Sequence, residues 1–593
     1  MTRTRMVCAG GSTLARGVAL RGAAMMIAAL GAATGACAGA APRPAVVPAP
    51  AAAAVPPQAQ PVKAATAGDV PSAPLPPPAV TPDAPFRAQP PAAGPEPFFQ
   101  IPAYKRFKLK NGANVILAEF HDLPLVEMHL VLNVGGGANP AGEAGLAELT
   151  ANLLDEGTTT RSALQIAEQI ADLGAALATS SSWDASVVTL STISRSFDAA
   201  LAIWADVIAH PAFSEKELAR VRDNLLTSVT RRKDSPPTLA SLLLARVLYG
   251  DRHPYAWPLQ GVEETLKKLT IADVRRFYAA QYKPSNATII VAGDISEAAL
   301  RPKLEHALAD WKAGKPAPVK LPAATGPSGK RIYLIDKPGA PQSSIRVGFV
   351  GARRTDPDYF AIVLMNQILG GSFYRLDMNL RERRQWTYGA RSVFEMRRTP
   401  GPAAAGGEFV AAHTSDAVAE ILKEMRTMAT TEVTDEELAR AKDNFIRAFP
   451  ARFATRASTA ALLSELSVYG LPDSFLTEYT KKVQAVTKAD VLRAAKRFLT
   501  DKVAVVVVGD RESEEAPLRK LAPLELRELD GSPAGPVSAN AHDVGPREAR
   551  PEAKAGATAG PKSDGKSSRR ADERSQSKTG DKSDDRSDGK PAE

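Results

Sequence analysis

The chain has 593 residues, a formal net charge of +9 and only two cysteines, both within the first 40 residues. The rest of the chain can therefore contain neither a disulfide framework nor a cysteine-based metal site. The positive charge is spread along the sequence, without basic runs interleaved with aromatic residues, and this argues against a nucleic-acid-binding protein.

The N-terminal segment has the pattern of an export signal. Several arginines precede an apolar run over 23–33, and small residues follow it, which is the order found in secretory signal peptides. A membrane-spanning helix would need about 20 apolar residues, and this run is shorter. We therefore predict a signal peptide over 1–40 and an exported protein, located in the bacterial periplasm or cell envelope. Cys37 loosely matches a lipoprotein cleavage site, with Thr34 in place of the usual Leu, so lipidation of Cys37 and ordinary cleavage both stay open.

Two segments have compositions that cannot build a core. Residues 41–100 are rich in Pro and Ala, which is typical of a semi-extended linker. Residues 520–593 mix Lys, Arg, Asp and Glu with Ser, Gly and Ala, and such a composition cannot offset the entropy of ordering. We predict that both segments are disordered and that the folded part lies between them.

The folded part contains strands and helices in mixed order. Asn111-Gly112 separates two apolar segments and predicts a β-hairpin, and alternation over 126–132 predicts a third strand. Further helices are predicted over 145–154, 163–177, 197–210, 215–232, 359–369, 417–428 and 435–449, and further strands over 187–191, 287–292, 331–335, 344–350 and 503–508. Hairpins mixed with helices indicate an α+β fold rather than a doubly wound parallel sheet.

Two pairs of segments repeat at nearly the same separation of about 220 residues. Residues 217–224 return as 437–444, and a second pair of segments follows in step. Solenoid repeats are only about 20–50 residues long, so this period indicates duplicated domains. We predict two tandem homologous domains over 101–315 and 325–512, each with a mainly antiparallel sheet packed with helices, facing each other across a cleft.

The helix predicted over 145–154 carries the most informative motif. From Gly145 to Thr158 the chain reads Gly-Leu-Ala-Glu-Leu-Thr-Ala-Asn-Leu-Leu-Asp-Glu-Gly-Thr. Together with the hairpin and the duplication, this segment resembles the pitrilysin or insulinase family of zinc peptidases, which includes the mitochondrial processing peptidase and the core proteins of the cytochrome bc1 complex. The resemblance covers about residues 103–512, and it implies the metallohydrolase fold of that family.

The resemblance fails at the residues that carry the family's chemistry. Active members read Gly-Leu-Ala-His-x-x-Glu-His, in which the two His hold zinc and the Glu takes a proton from the zinc-bound water. Here Glu148, Ala151 and Asn152 occupy these positions, and counting onward to the family's third ligand, a Glu, reaches Ser228. The resemblance therefore implies no catalytic residue and no metal in this chain, with zinc expected only in a catalytic partner.

A second motif of the family is kept. The segment Leu380–Gly389 resembles Leu-Arg-Glu-x-Arg-x-x-x-Tyr. In the family the Arg and the later Tyr help to bind substrate near the scissile bond, and the motif match gives this role to Arg381 and Tyr388. A phenol can donate a hydrogen bond to a carbonyl oxygen that gains charge in the transition state. The alternative is a basic helix end with a core tyrosine.

The resemblance leaves three functions open, in this order. The first is the non-catalytic, substrate-binding subunit of a heterodimeric peptidase, with a catalytic paralogue as partner and a peptide substrate in the inter-domain cleft. The second is a structural or scaffold protein, like the bc1 core subunits. The third is an active metallopeptidase. It ranks last because zinc hydrolysis needs three protein ligands and a base, and the seven histidines include no ligand-like pair.

Overall fold

The computed structural model describes residues 94–95 and 99–534. The predicted signal peptide over 1–40, including Cys37, most of the predicted linker, and residues 535–593 of the predicted tail lie outside the described residues. None of the helices between residues 99 and 534 has the length and apolar character needed to cross a membrane.

Strands and helices alternate along the described chain. The strands are β1 Lys105–Lys108, β2 Asn114–Glu119, β3 Leu125–Leu132, β4 Ala176–Ser181, β5 Ser186–Ile193, β6 Ala287–Gly293, β7 Arg331–Asp336, β8 Gln342–Val350, β9 Thr387–Phe394, β10 Pro402–Val410, β11 Ala504–Gly509 and β12 Leu524–Arg527. The helices are α1 Leu146–Asn152, α2 Ala163–Asp172, α3 Phe197–Ala209, α4 Glu215–Arg232, α5 Pro236–Tyr249, α6 Glu263–Lys268, α7 Ile271–Gln281, α8 Glu297–Ala307, α9 Tyr359–Gly370, α10 Arg375–Asp377, α11 Thr414–Thr430, α12 Asp435–Ala448, α13 Arg456–Tyr469, α14 Ser474–Thr477, α15 Tyr479–Ala485, α16 Lys488–Phe498 and α17 Arg511–Arg519.

The strands form two six-stranded sheets, in which five strands follow a matching order and the outermost strands β1 and β12 differ. The first sheet runs β1-β2-β6-β3-β5-β4, and the second runs β12-β7-β11-β8-β10-β9. The pairs β2–β6 and β7–β11 are parallel, whereas the next three pairings in each sheet are antiparallel. The α+β class and the tandem duplication are therefore confirmed.

The repeated segments of the sequence are helix starts that occur once in each half. Ser214 caps α4 and Thr434 caps α12, each accepting a hydrogen bond from the backbone N–H three residues later. Thr270 and Thr487 do the same at α7 and α16, with reciprocal capping boxes. A side-chain cap satisfies one of the free N–H groups of a helix terminus, so these segments set the same helix boundaries in both halves.

The two halves exchange one helix each. Helix α5 packs on β8 and β11 of the second sheet, whereas α13 packs on β3 and β6 of the first. At the α13 contact, Ser467 donates a hydrogen bond of 2.7 Å to Thr288. An open pocket of about 380 Å³ lies beside the C-terminal end of α13.

Two boundaries differ substantially from the sequence prediction, whereas the others shift by a few residues. The helix predicted over 163–177 ends at Asp172, because Gly174 adopts a left-handed conformation with φ of 62°, a common helix stop. The residues that follow form the edge strand β4, so pairing with β5 outweighs the helix propensity of Ala and Leu there. The folded part also extends past the predicted start of the tail at 520, since β12 pairs with β7 and its Leu524 and Leu526 pack against the core.

Candidate functional site

The flanks of the degenerate motif are explained by folding alone. Gly145 precedes α1 with φ of 97°, and a Cβ atom there would lie 2.9 Å from Gly261 Cα. Leu146 and Ala147 are fully buried. Glycine tolerates both the left-handed conformation and the close approach. The flanks that match the family motif therefore position the helix, whether or not the helix carries any chemistry.

The positions that carry zinc ligands and the base in active members are occupied here by side chains that pack or contact neighbouring residues. Ala151 is fully buried and offers only a methyl group. The Glu148 carboxyl lies near the Asn152 side chain and the Ser181 backbone of β4, and its buried Oε2 atom has no hydrogen-bond partner among the described residues. Burial raises the pKa of Glu148 to about 7, although these two polar neighbours act in the opposite direction. Ser228, exposed on α4, donates its hydroxyl hydrogen bond to the Asn224 carbonyl at 3.1 Å.

This set of side chains does not fit a zinc ion. A protein zinc site needs at least three ligands from His, Cys, Asp or Glu, and the motif positions offer one carboxyl, one amide and one hydroxyl already engaged in its own helix. Across residues 94–95 and 99–534, no group of three such side chains could hold a metal ion. The family's ligand set is therefore lost in geometry as well as in sequence.

The acidic residues just beyond α1 link it to its neighbours. Thr179 on β4 donates a hydrogen bond of 3.2 Å to Asp155, and Glu156 forms an ion pair with Arg220 on α4. Burial, and next the nearby Glu156 carboxylate, raise the pKa of Asp155 to about 6. These contacts give both carboxylates a role in packing.

The raised pKa of Glu148 predicts a pH-dependent penalty on folding. The ordinary pKa is 4.5 and the folded value is about 7, so the folded state loses stability as the pH rises from about 4.5 to about 7. We expect Glu148→Gln to remove this loss, which makes the variant more stable than the parent by about 1–3 kcal/mol at pH 8 and no more stable at pH 4.

Chemical denaturation of both proteins at pH 4 and pH 8 measures this difference. Glu168→Gln, at an exposed position of α2, is the matched control and should show no pH-dependent gain. A Glu148→Gln variant less stable than the parent at pH 8 would contradict the assignment.

Arg381 and Tyr388 lie together on the surface of the second half. Arg381 lies in a π-helical turn over Met378–Arg383, and Tyr388 lies on β9. The guanidinium carbon is 5.3 Å from the centre of the Tyr388 ring, and the Tyr388 residue is 86% exposed. The alternative interpretation of a core tyrosine is therefore wrong, and the phenol is free to contact a ligand.

The donors of Arg381 are not used up within the chain. Its nitrogens approach Asp377 at 3.7 Å and Glu382 at 3.5 Å, and its guanidinium donates no hydrogen bond to another part of the described chain. An arginine carries five N–H donors in a planar fork that suits carboxylates and carbonyls. Arg381 can therefore direct several of these donors toward a bound group.

The two predicted sites do not meet. Helix α1 packs in the first half against α7, β4 and α4, whereas Arg381 and Tyr388 lie at an edge of the second sheet. Among the residues that the structure describes, no hydrogen bond, ion pair or ring contact joins the two groups. The structure thus brings together Arg381 with Tyr388, and Glu148 with Asn152, as separate clusters.

Sequence reasoning missed two residues beside Arg381. Phe373 has a positive φ of 60° and an exposed ring, and Asp377 has a buried carboxylate that contacts both Phe373 and Arg381. No pattern in the sequence indicates either feature, since a backbone dihedral and an unpaired oxygen appear only in three dimensions. The Gly370-Gly371-Ser372 turn was the nearest available signal.

Two protein-family models match the sequence of this chain, and the matched ranges include the segments 145–158 and 380–389. A model described as Insulinase (Peptidase family M16) matches residues 115–253, and one described as Peptidase M16 inactive domain matches residues 268–445. Together these matches cover more than half of the chain. The chain belongs to the M16 (insulinase) family of peptidases. The predicted family resemblance is thereby confirmed.

Individual M16 relatives include proteins described both as proteases and as non-peptidases. The "Uncharacterized zinc protease YmxG" of Bacillus subtilis is 23% identical over 340 residues, which cover 57% of this chain and 82% of that protein. The "Non-peptidase homolog YmxG" of Helicobacter pylori is 25% identical over 201 residues, covering 34% of this chain and 46% of that protein.

Solved structures agree on the fold. The crystal structure of a peptidase M16 inactive domain from Pseudomonas fluorescens matches with a TM-score of 0.65 and 29% identity, covering 69% of this chain and 98% of that chain. A protease from Helicobacter pylori matches with a TM-score of 0.63 at 20% identity, covering 69% of this chain and 100% of that one. At that identity the second match supports the fold alone.

Proposed function

We propose that this chain is the non-catalytic, substrate-binding subunit of a two-chain M16 peptidase. The observation that carries the proposal is an asymmetry within the chain. Arg381 and Tyr388 are held on the surface with donors to spare, whereas Glu148, Ala151, Asn152 and Ser228 provide neither zinc ligands nor a base. A substrate-binding element without a metal site is useful only beside a second chain that supplies the metal.

The catalytic partner is an M16 paralogue with an intact His-x-x-Glu-His motif, and zinc is bound there. The peptide substrate lies against the surface that carries Arg381 and Tyr388, and its placement in the inter-domain cleft stays a prediction. This placement also matches the exposure of Tyr388, whose phenol faces solvent in the isolated chain.

The chemical contribution of this chain is stabilisation of charge. When a peptide carbonyl is attacked, its oxygen becomes negative, and the Tyr388 hydroxyl can donate a hydrogen bond to it. The Arg381 guanidinium adds a fixed positive charge beside the same oxygen. Preorganised donors of this kind are worth about 10²–10³ in rate each. Proton transfer is left to the partner, since Ala151 has no titratable group.

We also propose that the pair works outside the cytoplasm. The support is the sequence of residues 1–40, and the Pro- and Ala-rich segment that follows would suit a lipid-anchored chain. Mass spectrometry of the N-terminus from membrane and soluble fractions distinguishes the two routes. A diacylated Cys37 identifies a lipoprotein, an unmodified N-terminus after residue 36 or later identifies ordinary cleavage, and an intact Met1 contradicts export.

Reconstitution tests the pairing. The chain without residues 1–40 is mixed with an M16 paralogue from the same genome that carries the intact motif, and complex formation and cleavage of a fluorogenic peptide library are measured. We expect a one-to-one complex that cleaves peptides, while each chain alone does not. A partner whose motif Glu is replaced by Gln is the control for activity. A paralogue equally active alone, or the absence of any complex, would overturn the proposal.

A further inference from the structure

Phe373 has a strained backbone that folding does not explain. Its φ of 60° lies in the left-handed region, which is unfavourable for a residue that carries a side chain. Its N–H donates a hydrogen bond of 2.9 Å to Asp377 Oδ2, and its carbonyl accepts one of 3.0 Å from Arg440. The ring is 54% exposed, so little burial offsets the strain.

A second phenylalanine of the same chain shows the ordinary case. Phe213 also has a positive φ, of 47°. Its ring is buried, and it packs edge-on against Tyr278 at 5.3 Å between ring centres. At Phe213 the packing of the ring in the core compensates for the backbone. At Phe373 the ring is exposed, so something other than core packing has to compensate for the unfavourable backbone conformation.

Asp377 carries a second unfavourable feature at the same place. Its side chain is 1% exposed, and its Oδ1 atom has no hydrogen-bond partner among the described residues. A buried carboxylate oxygen without a donor costs free energy. The atom lies under the strand that carries Tyr388, since a Cβ on Gly389 would be 3.8 Å from it.

Both features converge on Arg381. Its guanidinium carbon lies 5.7 Å from the Phe373 ring centre and 5.3 Å from that of Tyr388, within the range of cation–π attraction. The Asp377 and Glu382 carboxylates lie 3.7 Å and 3.5 Å from its nitrogens. Arg381 itself belongs to a π-helical turn, a local irregularity often found at functional sites. Two rings and two carboxylates thus surround the guanidinium, and none of them accepts a hydrogen bond from it.

We propose that Phe373 and Asp377 are positioning residues that hold Arg381 beside Tyr388 for substrate, at a cost to the stability of the chain. The inference rests on the proposed function of the Arg381–Tyr388 pair. Strained and unsatisfied groups persist where the protein uses the geometry that they impose. Replacing them should therefore keep or raise the stability of the chain and lower the activity of the pair. A purely structural role would not combine these two effects.

The test compares Phe373→Gly and Asp377→Asn with two matched controls. Gln385 is an exposed residue between Arg381 and Tyr388 in the sequence, and it also has a positive φ, of 59°. Gln385→Gly removes the strain there and leaves the Phe373 and Tyr388 rings in place. Phe213→Gly removes the buried ring. We expect Phe373→Gly and Asp377→Asn to leave the denaturation midpoint unchanged or raised, whereas Phe213→Gly lowers it.

In the reconstituted pair both test variants should lower kcat/KM about tenfold or more, since a misplaced group can cost this much. The Gln385→Gly control should leave kcat/KM unchanged.

A crystal structure of each variant chain gives a readout independent of the partner. We expect the Arg381 side chain to be ordered in the parent and displaced or disordered in both test variants. An Arg381 that stays in place, test variants destabilised as much as Phe213→Gly, or turnover within twofold of the parent would each overturn the positioning role. If Arg381→Ala and Tyr388→Phe lower turnover while these variants do not, the proposed function stands and only this inference fails.

Discussion

We expect Tyr388→Phe to lower the turnover of the reconstituted pair by about 10²–10³, the scale of one lost oxyanion donor. The phenol is 86% exposed and lies beside the Arg381 guanidinium, so it is available to a carbonyl oxygen of the peptide. The ring remains in the variant, and only the hydroxyl is removed. Complex formation should be unchanged because one hydroxyl contributes little to a large interface.

Steady-state kinetics at saturating subunit concentration measures this effect. Tyr374→Phe is the matched control, because that tyrosine is buried under the Arg440 guanidinium, 4.0 Å from its ring centre, and belongs to the same loop region. The control should keep its turnover, whereas Arg381→Ala should lose turnover as Tyr388→Phe does. If both Arg381→Ala and Tyr388→Phe leave turnover intact, the chain is a scaffold, like the bc1 core subunits.

We expect Arg354→Ala to lower the free energy of unfolding by about 3–5 kcal/mol, the range for breaking a buried ion pair. Arg354 belongs to the second half and pairs at 2.6 Å with Glu465 on α13, and both residues are buried. Its guanidinium also lies 3.9 Å from the Tyr359 ring centre. Because α13 is the helix that packs on the first sheet, loss of this pair should weaken the contact between the halves.

Denaturant unfolding gives the value, and Lys268→Ala is its control. Lys268 pairs with Glu264 on the surface, where the two side chains are 71% and 77% exposed, and such exposed pairs contribute little to the free energy of unfolding. Arg452 also contacts Glu465, at 2.8 Å, and it keeps part of the carboxylate paired. An Arg354→Ala variant within 1 kcal/mol of the Lys268→Ala control would contradict the role given to this pair.

Short sequence patterns correctly predicted the elements that are determined by residues close together in the sequence. The Asn111-Gly112 turn, the strand β3 and the capped helices α4 and α12 all appear where we expected them. Strands β9 and β10 were not predicted. Strand β10 contains three Ala and two Gly, residues with low strand propensity, and its register comes from pairing with β8.

The exchange of α5 and α13 was likewise beyond local reasoning. Nothing within either helix indicates which sheet it covers, because both are apolar on the buried side and the choice depends on the packing of the whole chain. At the site, the losses at Glu148, Ala151 and Asn152 and the surface pair Arg381–Tyr388 could be read from motif positions. The strain at Phe373 could not.

Metal analysis of the purified chain without residues 1–40, combined with a peptidase assay, tests the central claim most directly. Three ligand positions and the base position hold Glu148, Asn152, Ser228 and Ala151, so we expect far less than one zinc per chain and no peptide cleavage in the absence of a partner. About one zinc per chain, together with peptidase activity that a chelator abolishes, would contradict the account.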